Sequence, residues 1–183
     1  MTTLIIIAAL IFLLLIAVVR NYNRFVSLRN QAEEAYSTMD IYLKKRWDMI
    51  PNLVEIVKQY ALHERQTLEA VIQARNLAAS ASSKEDRSQT ENHLTQTLRS
   101  LFAVSENYPQ LKADQGFLQL SQQLASLEDE ISQARKYYNG VSKQLNNAVE
   151  KFPANIFAGI LGFHSYPYFN VDAAERQNVQ IRF

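Results

Sequence analysis

Cysteine is absent from all 183 residues, which excludes disulfides, thiolate metal sites and cysteine nucleophiles together. Glycine is nearly as scarce: four occur and none precedes position 116, so phosphate-cradling loops and multi-turn β architectures have nothing to be built from. Proline also occurs only four times. An excess of charge of either sign is missing too, since 19 Lys and Arg against 18 Asp and Glu leave a net charge of +1. A nucleic-acid partner, which needs a strongly basic surface, is therefore not expected, and there is no acidic tail. The last absence is local. From Met1 to Val19 there is no charged side chain, so all the charge lies in the body that follows.

That leader reads LIIIAALIFLLLIAVV from Leu4 to Val19. With Met1 to Thr3 it gives a helix of about 28 Å, enough to cross the hydrocarbon core of a bilayer. No basic residue precedes the apolar run and no small-x-small site follows it, which argues against a cleaved signal peptide and for a retained span over 1–19. Arg20, Arg24 and Arg29 all follow the span and none precedes it. The positive-inside bias then puts the N-terminus outside and the body in the cytoplasm; the alternative is a body on the outer side.

Beyond the span, Phe25, Leu28, Ala32, Ala35, Met39, Leu43, Trp47, Ile50, Val54, Val57 and Ala61 recur at helical spacing. Pro51 lies inside this run and removes the hydrogen bond to the Trp47 carbonyl. The stripe continues in phase beyond it, which favours one kinked helix over a fresh start at Pro51. A second, less regular segment carries Leu68, Val71, Ile72, Ala78 and Ala79. After the small polar patch from Ser80, Ser83 and Asp86 have capping-box spacing and open a third helix with Leu94, Leu98, Leu101, Ser105 and Tyr108 on one face. Pro109 and Gly116 bracket a loop. The fourth segment has the clearest phase: Phe117, Leu120, Leu124, Leu127, Ile131, Ala134, Tyr138, Val141, Leu145, Ala148 and Phe152. Asn139-Gly140 alone suggests a hairpin turn, but the phase survives on both sides and makes Gly140 a helix-interior residue.

The fold class that follows is all-α: an N-terminal transmembrane helix and then an antiparallel four-helix bundle with long helices. The alternative is a three-helix bundle, with one helix from His63 to Tyr108. The segments are 1–19, the span; 20–152, the bundle; and 153–183, an aromatic-rich end. From Phe152 to Phe169 six aromatics, two glycines and two prolines give poor helix propensity, so this stretch is read as a tail that plugs one end of the bundle or as a membrane-interface segment. Asn178 to Phe183 alternates apolar and polar residues, a weak strand signal.

Several motifs resemble the LemA family of bacterial membrane proteins: KRWDMIPNLVE around Arg46 to Val54, YALHE from Tyr60, LEAVIQAR, ENYPQLKADQGFLQL from Glu106, and ARKYYN from Ala134 to Asn139. Phe152-Pro153, Gly162-Phe163 and Tyr166 to Phe169 follow in the same order. The resemblance implies a single span, a cytoplasmic four-helix domain in a bacterial cell membrane and no established enzyme activity. The polar residues within its motifs are Arg46, Asp48, Asn52, Glu106, Arg135 and Asn139, and they are read as structural.

No enzyme is expected. His63-Glu64 begins the zinc motif H-E-x-x-H, but position 67 is Thr and the second ligand is missing. His63, His93 and His164 lie in separate segments, and the carboxylate runs at Glu33-Glu34 and Glu128 to Glu130 point to different helix faces. No G-x-S-x-G elbow is present. No catalytic, cofactor or metal residue is assigned, and no small-molecule substrate. Arg46, Asp48 and Arg135 flank the stripes and are expected to form inter-helix ion pairs with Glu106 or Glu128. The alternative is a polar groove using Lys44, Lys45 and Arg46 that receives a peptide or lipid headgroup. The partners are then the bilayer, through 1–19, and other proteins. The function is a membrane-anchored interaction or scaffolding module, or alternatively a membrane-shaping or lipid-sensing element.

Overall fold

The structure, a computed structural model, describes residues 1–170. They form six helices and no strand: α1 (Thr2–Tyr60), α2 (Arg65–Ser80), α3 (Lys84–Ser105), α4 (Pro109–Ala113), α5 (Gln115–Glu150) and α6 (Ala154–Leu161). The class is all-α, with one long apolar N-terminal helix. Among the described residues α1 is the single helix long and apolar enough to cross a membrane, and none of its apolar window is buried. Asn178 to Phe183 lies outside the described residues.

The described residues divide into two compact units, the first of Met1–Ser37 and Lys136–Tyr168, the second of Thr38–Arg135 with Phe169 and Asn170. In the first unit Phe25, Leu28 and Ala32 of α1 share a core with Val141, Leu145, Ala148 and Val149 of α5, Ala158 of α6 and Phe163. The return segment after α6 is held by side chains that satisfy its backbone. The Asn146 amide donates to the Tyr166 carbonyl at 2.9 Å and accepts from the Tyr166 N–H at 2.7 Å, and the Tyr138 hydroxyl donates to the Pro167 carbonyl at 2.8 Å. Gly162 ends α6 at φ +72°, a left-handed position that glycine occupies without strain. Helix propensity does not predict α6, which sits where Phe152 to Phe169 reads as irregular. Its Ala154, Phe157, Ala158 and Leu161 pack on the core, and tertiary burial outweighs weak intrinsic preference.

In the second unit the buried stripes are Met39, Leu43, Trp47, Ile50, Leu53 and Val57 on α1, Leu68, Val71, Ala74 and Ala78 on α2, Leu94, Leu98 and Leu101 on α3, and Phe117, Leu124, Leu127 and Ile131 on α5. α2 and α3 pack on each other and are separate helices. Ser83 caps α3 by accepting from the Asp86 N–H at 3.0 Å. The loop expected between Pro109 and Gly116 holds the short α4, with proline at its first turn, where the missing N–H is not needed. Asp114 then starts α5, accepting from the Phe117 N–H at 2.9 Å and the Tyr60 hydroxyl at 3.0 Å. These bonds hold its carboxyl below the usual range, the Phe117 N–H first.

α1 runs unbroken through Pro51. Past the proline the buried position is Leu53, fully enclosed, and Val54 is only partly covered. Proline leaves the Trp47 carbonyl without its helical donor. Arg75 of α2 supplies one: its Nε donates to that carbonyl at 3.2 Å. The two residues are therefore energetically coupled. Pro51→Ala should raise the melting temperature of the detergent-solubilised chain, because it restores the backbone bond. Arg75→Met should cost on the order of 1 kcal/mol with Pro51 present and clearly less with Ala at 51. Equal costs in both backgrounds would show that Arg75 does not replace the missing donor.

Candidate functional site

The most concentrated polar chemistry among the described residues lies inside the second unit, at Arg46. Helical phase puts Arg46 beside Leu43, Trp47 and Ile50 on the inward side of α1, and it is only 1 % exposed. Its Nη1 donates to Glu128 Oε1 of α5 at 2.5 Å and to Thr95 Oγ1 of α3 at 3.1 Å, and its Nη2 donates to Glu91 Oε2 of α3. The other Glu91 oxygen, Oε1, accepts from the Trp47 indole N–H at 2.7 Å. Both Glu91 oxygens are thus engaged, and its side chain is as deeply buried as that of Arg46. Over the Trp47 ring lies the Arg87 guanidinium, 5.1 Å from the centroid, held there by Asp40 at 2.6 Å and the Ala81 carbonyl at 2.8 Å.

Burial pushes Glu91 above the usual carboxylate range, although Arg46, the Trp47 N–H and Arg87 pull it back. Burial works against charge on Arg46, but Glu91 and Glu128 outweigh it and hold the guanidinium above its ordinary value. Burial thus prevails at Glu91 and pairing prevails at Arg46, the two opposing effects that act on a cation enclosed by carboxylates. Phe169, itself buried, covers the cluster, and the next residue is fixed in place: the Asn170 carbonyl accepts from Ser88 Oγ at 3.1 Å and Asn92 Nδ2 at 3.0 Å. The cavity that remains beside Arg46 and Glu91 is about 30 Å³, room for one water-sized guest and for no substrate.

Of the six motif residues, Arg46 is at the centre of this cluster and Arg135 lines the small cavity beside it. Asp48 is exposed and pairs with Lys44 one turn away at 2.7 Å. Asn52 is exposed. Glu106 pairs with Lys112 at 2.6 Å on the surface and does not reach Arg46. Arg135 lines an open groove of about 540 Å³ between α3 and α5, together with Leu98, Phe102, Leu124, Ala125 and Asp129. Asn139 is half-buried in the first unit. Lys44 and Lys45 are exposed while Arg46 is turned inward, so the three do not form one basic surface. Among the described residues no group of three or more potential ligands is placed to hold a metal ion.

Glu91 is the residue that reading the sequence missed. Its signal was present: Ser88 and Glu91, in steps of three before Leu94, extend the face of Leu94, Leu98, Leu101 and Ser105 backwards, and both are buried. A carboxylate in a core phase requires a cation, and α1 carries one in its own core phase at Arg46.

A family model described as the LemA family matches residues 35–183. Protein LemA of Metamycoplasma hominis is 24 % identical over 158 residues, covering 86 % of this chain and 72 % of the relative. Magnetosome protein MamQ of Magnetospirillum gryphiswaldense is 21 % identical over 175 residues, covering 81 % of this chain and 64 % of the relative. Magnetosome protein MamQ 2 of Paramagnetospirillum magneticum is 22 % identical over 174 residues with the same coverage, so this chain spans just under two thirds of the MamQ proteins' length.

Removing one member of a buried pair strands the other, whereas an exposed pair contributes little. Glu91→Gln should therefore destabilise the chain by on the order of 3 kcal/mol, and Asp48→Asn by less than about 0.5 kcal/mol, both read from denaturant unfolding. Similar small losses from both would mean that the buried cluster contributes no more than a surface pair.

Proposed function

This chain belongs to the LemA family, and from that premise we propose a non-catalytic interaction and scaffolding module held at the cytoplasmic face of a bacterial cell membrane. Residues 1–19 are the anchor, and the bilayer is the first partner. Protein partners engage the body, without cofactor, metal, nucleic acid or small-molecule substrate. The second unit is proposed to be an antiparallel four-helix bundle of α1, α2, α3 and α5, while residues 153–168 of the aromatic-rich C-terminal segment pack within the first unit.

The carrying observation is where the chain uses its buried charge. Arg46, Glu91 and Trp47 are closed on one another from three directions, with Glu128 completing the set, so groups that could do chemistry hold helices together. A helical body whose buried carboxylates are paired with Arg46 suits binding through its outer faces. The groove lined by Leu98, Phe102 and Leu124, with Asp129 and Arg135 at its edge, supports the same reading. Orientation rests on Arg20, Arg24 and Arg29, which follow the span and have no counterpart before it. Similarity at 21–22 % identity to relatives named as magnetosome proteins supports a membrane-associated role.

Protease added to intact spheroplasts should leave the body uncut and should digest it once the membrane is opened; digestion in intact spheroplasts overturns the orientation. A photo-crosslinking residue at the exposed Ala125 should give a discrete adduct in the membrane fraction. The adduct should persist when Arg46→Met and Glu91→Leu replace the cluster by apolar packing. Loss of the adduct from that folded variant would make the cluster a ligand site and contradict a purely structural role.

A further inference from the structure

α6 reads ANIFAGIL, with Asn155 its one polar side chain. A helix that is apolar all round is stable when every side is covered, by protein or by lipid. α6 is covered on one side only. Ala158 is buried and Ala154, Phe157 and Leu161 are partly buried against the core of the first unit. On the opposite side Ile156 and Ile160, one turn apart, are 52 % and 79 % exposed, and Phe152 just before the helix is 81 % exposed. Three large apolar side chains so close together, in a segment that helical packing holds in place, mark a contact surface.

What covers that surface follows from where α6 is fastened. Phe163, the second residue past the helix, packs its ring against Tyr22 at 5.9 Å and Phe25 at 5.2 Å, with the Arg29 guanidinium 5.4 Å from its centroid. Tyr22 and Phe25 lie three and six residues beyond Val19, the last residue of the apolar run, which is about 5 to 9 Å along a helix. That is the thickness of the headgroup layer on one side of a bilayer, and an interfacial helix buries its apolar face to a comparable depth. The exposed cations nearest in sequence to the patch and to the end of the span are Lys151, Arg20 and Arg24, with Glu150 as the adjoining carboxylate. This balance suits an anionic headgroup layer.

We propose that α6 is an interfacial helix, whose outward Phe152, Ile156 and Ile160 enter the headgroup and acyl boundary of the same bilayer that α1 crosses. The chain then meets its membrane twice, once through the span and once through a helix clamped to the base of the span. The proposal rests on α1 being a span and holds for a body on either side of the membrane.

The absence of native cysteine allows a direct test on the full-length chain. Single cysteines replacing Ile156 or Ile160 would carry an environment-sensitive fluorophore in vesicles of phosphatidylethanolamine and phosphatidylglycerol. Leu10→Cys reports the span, and Gln144→Cys, exposed on α5, reports water. The expected result is a blue-shifted emission at 156 and 160, loss of quenching by aqueous iodide, and stronger quenching by a shallow lipid-borne quencher than by a deep one. Protection should persist when protein is diluted to fewer than one copy per vesicle. Iodide quenching at 156 and 160 equal to that at 144, with Leu10 still in lipid, overturns the proposal and leaves the span standing. Protection that disappears on dilution makes a second copy the occupant and also overturns it. Iodide access at Leu10 removes the span and the proposal together.

Discussion

Arg46 is a cation at 1 % exposure, and its enclosure by Glu91 and Glu128 is the constraint on which the packing of α1, α3 and α5 in the second unit depends. An unpaired guanidinium in such a site would carry a desolvation cost of several kcal/mol, comparable with the whole stability of a domain. The register of the three helices brings Glu91, Glu128 and Thr95 to the same fork of donors. Apolar stripes alone allow a helix to slide or rotate by a small step with little loss. The cluster removes that freedom, since any such shift would strand a buried charge. Trp47 extends it, because its ring fills core while its N–H takes the remaining Glu91 oxygen.

The same economy recurs at three further points along the helices. A side chain stands in for a backbone group at each: Arg75 donates to the Trp47 carbonyl that Pro51 leaves open, Ser83 accepts the Asp86 N–H in the first turn of α3, and Asp114 accepts the Phe117 N–H in the first turn of α5. In the first unit Asn146 serves both backbone groups of Tyr166, whose hydroxyl donates to Glu33 at 2.6 Å. Burial and that carboxylate push the Tyr166 phenol up to about 12. Buried backbone groups need partners, and a chain with few turns meets the need with polar side chains at defined positions. The polar residues in the family motifs fit this picture of construction in part: Arg46 is internal, while Asp48 and Glu106 form surface pairs.

Much of the fold was legible because the apolar periodicity is strong. The stripes from Phe25 to Ile50 and from Phe117 to Ala148 are buried at nearly every position named, with Leu120 and Ala134 only partly covered. The Ser83 cap was legible because its chemistry is local. Three features were not. Leu53, not Val54, is the enclosed residue between Ile50 and Val57, and two adjacent apolar residues gave composition no means to choose between them. α4 and α6 are short, and their stability comes from burial of Leu111 and Ala158 against distant parts of the chain. Glu91 was hidden because a carboxylate is read as solvated until its partner is known, and the partner lies 45 positions away.

Thermal unfolding of Arg46→Lys, followed by Trp47 fluorescence, tests the central dependence most directly, since Trp47 is the sole tryptophan and bonds to Glu91. Lysine keeps the charge and much of the length but presents one ammonium in place of a planar fork. If register rests on bridging Glu91, Glu128 and Thr95 together, the lysine variant should lose nearly as much stability as Arg46→Met, on the order of 3 kcal/mol. A lysine variant that melts with the parent chain would show that charge alone suffices, and would contradict the account.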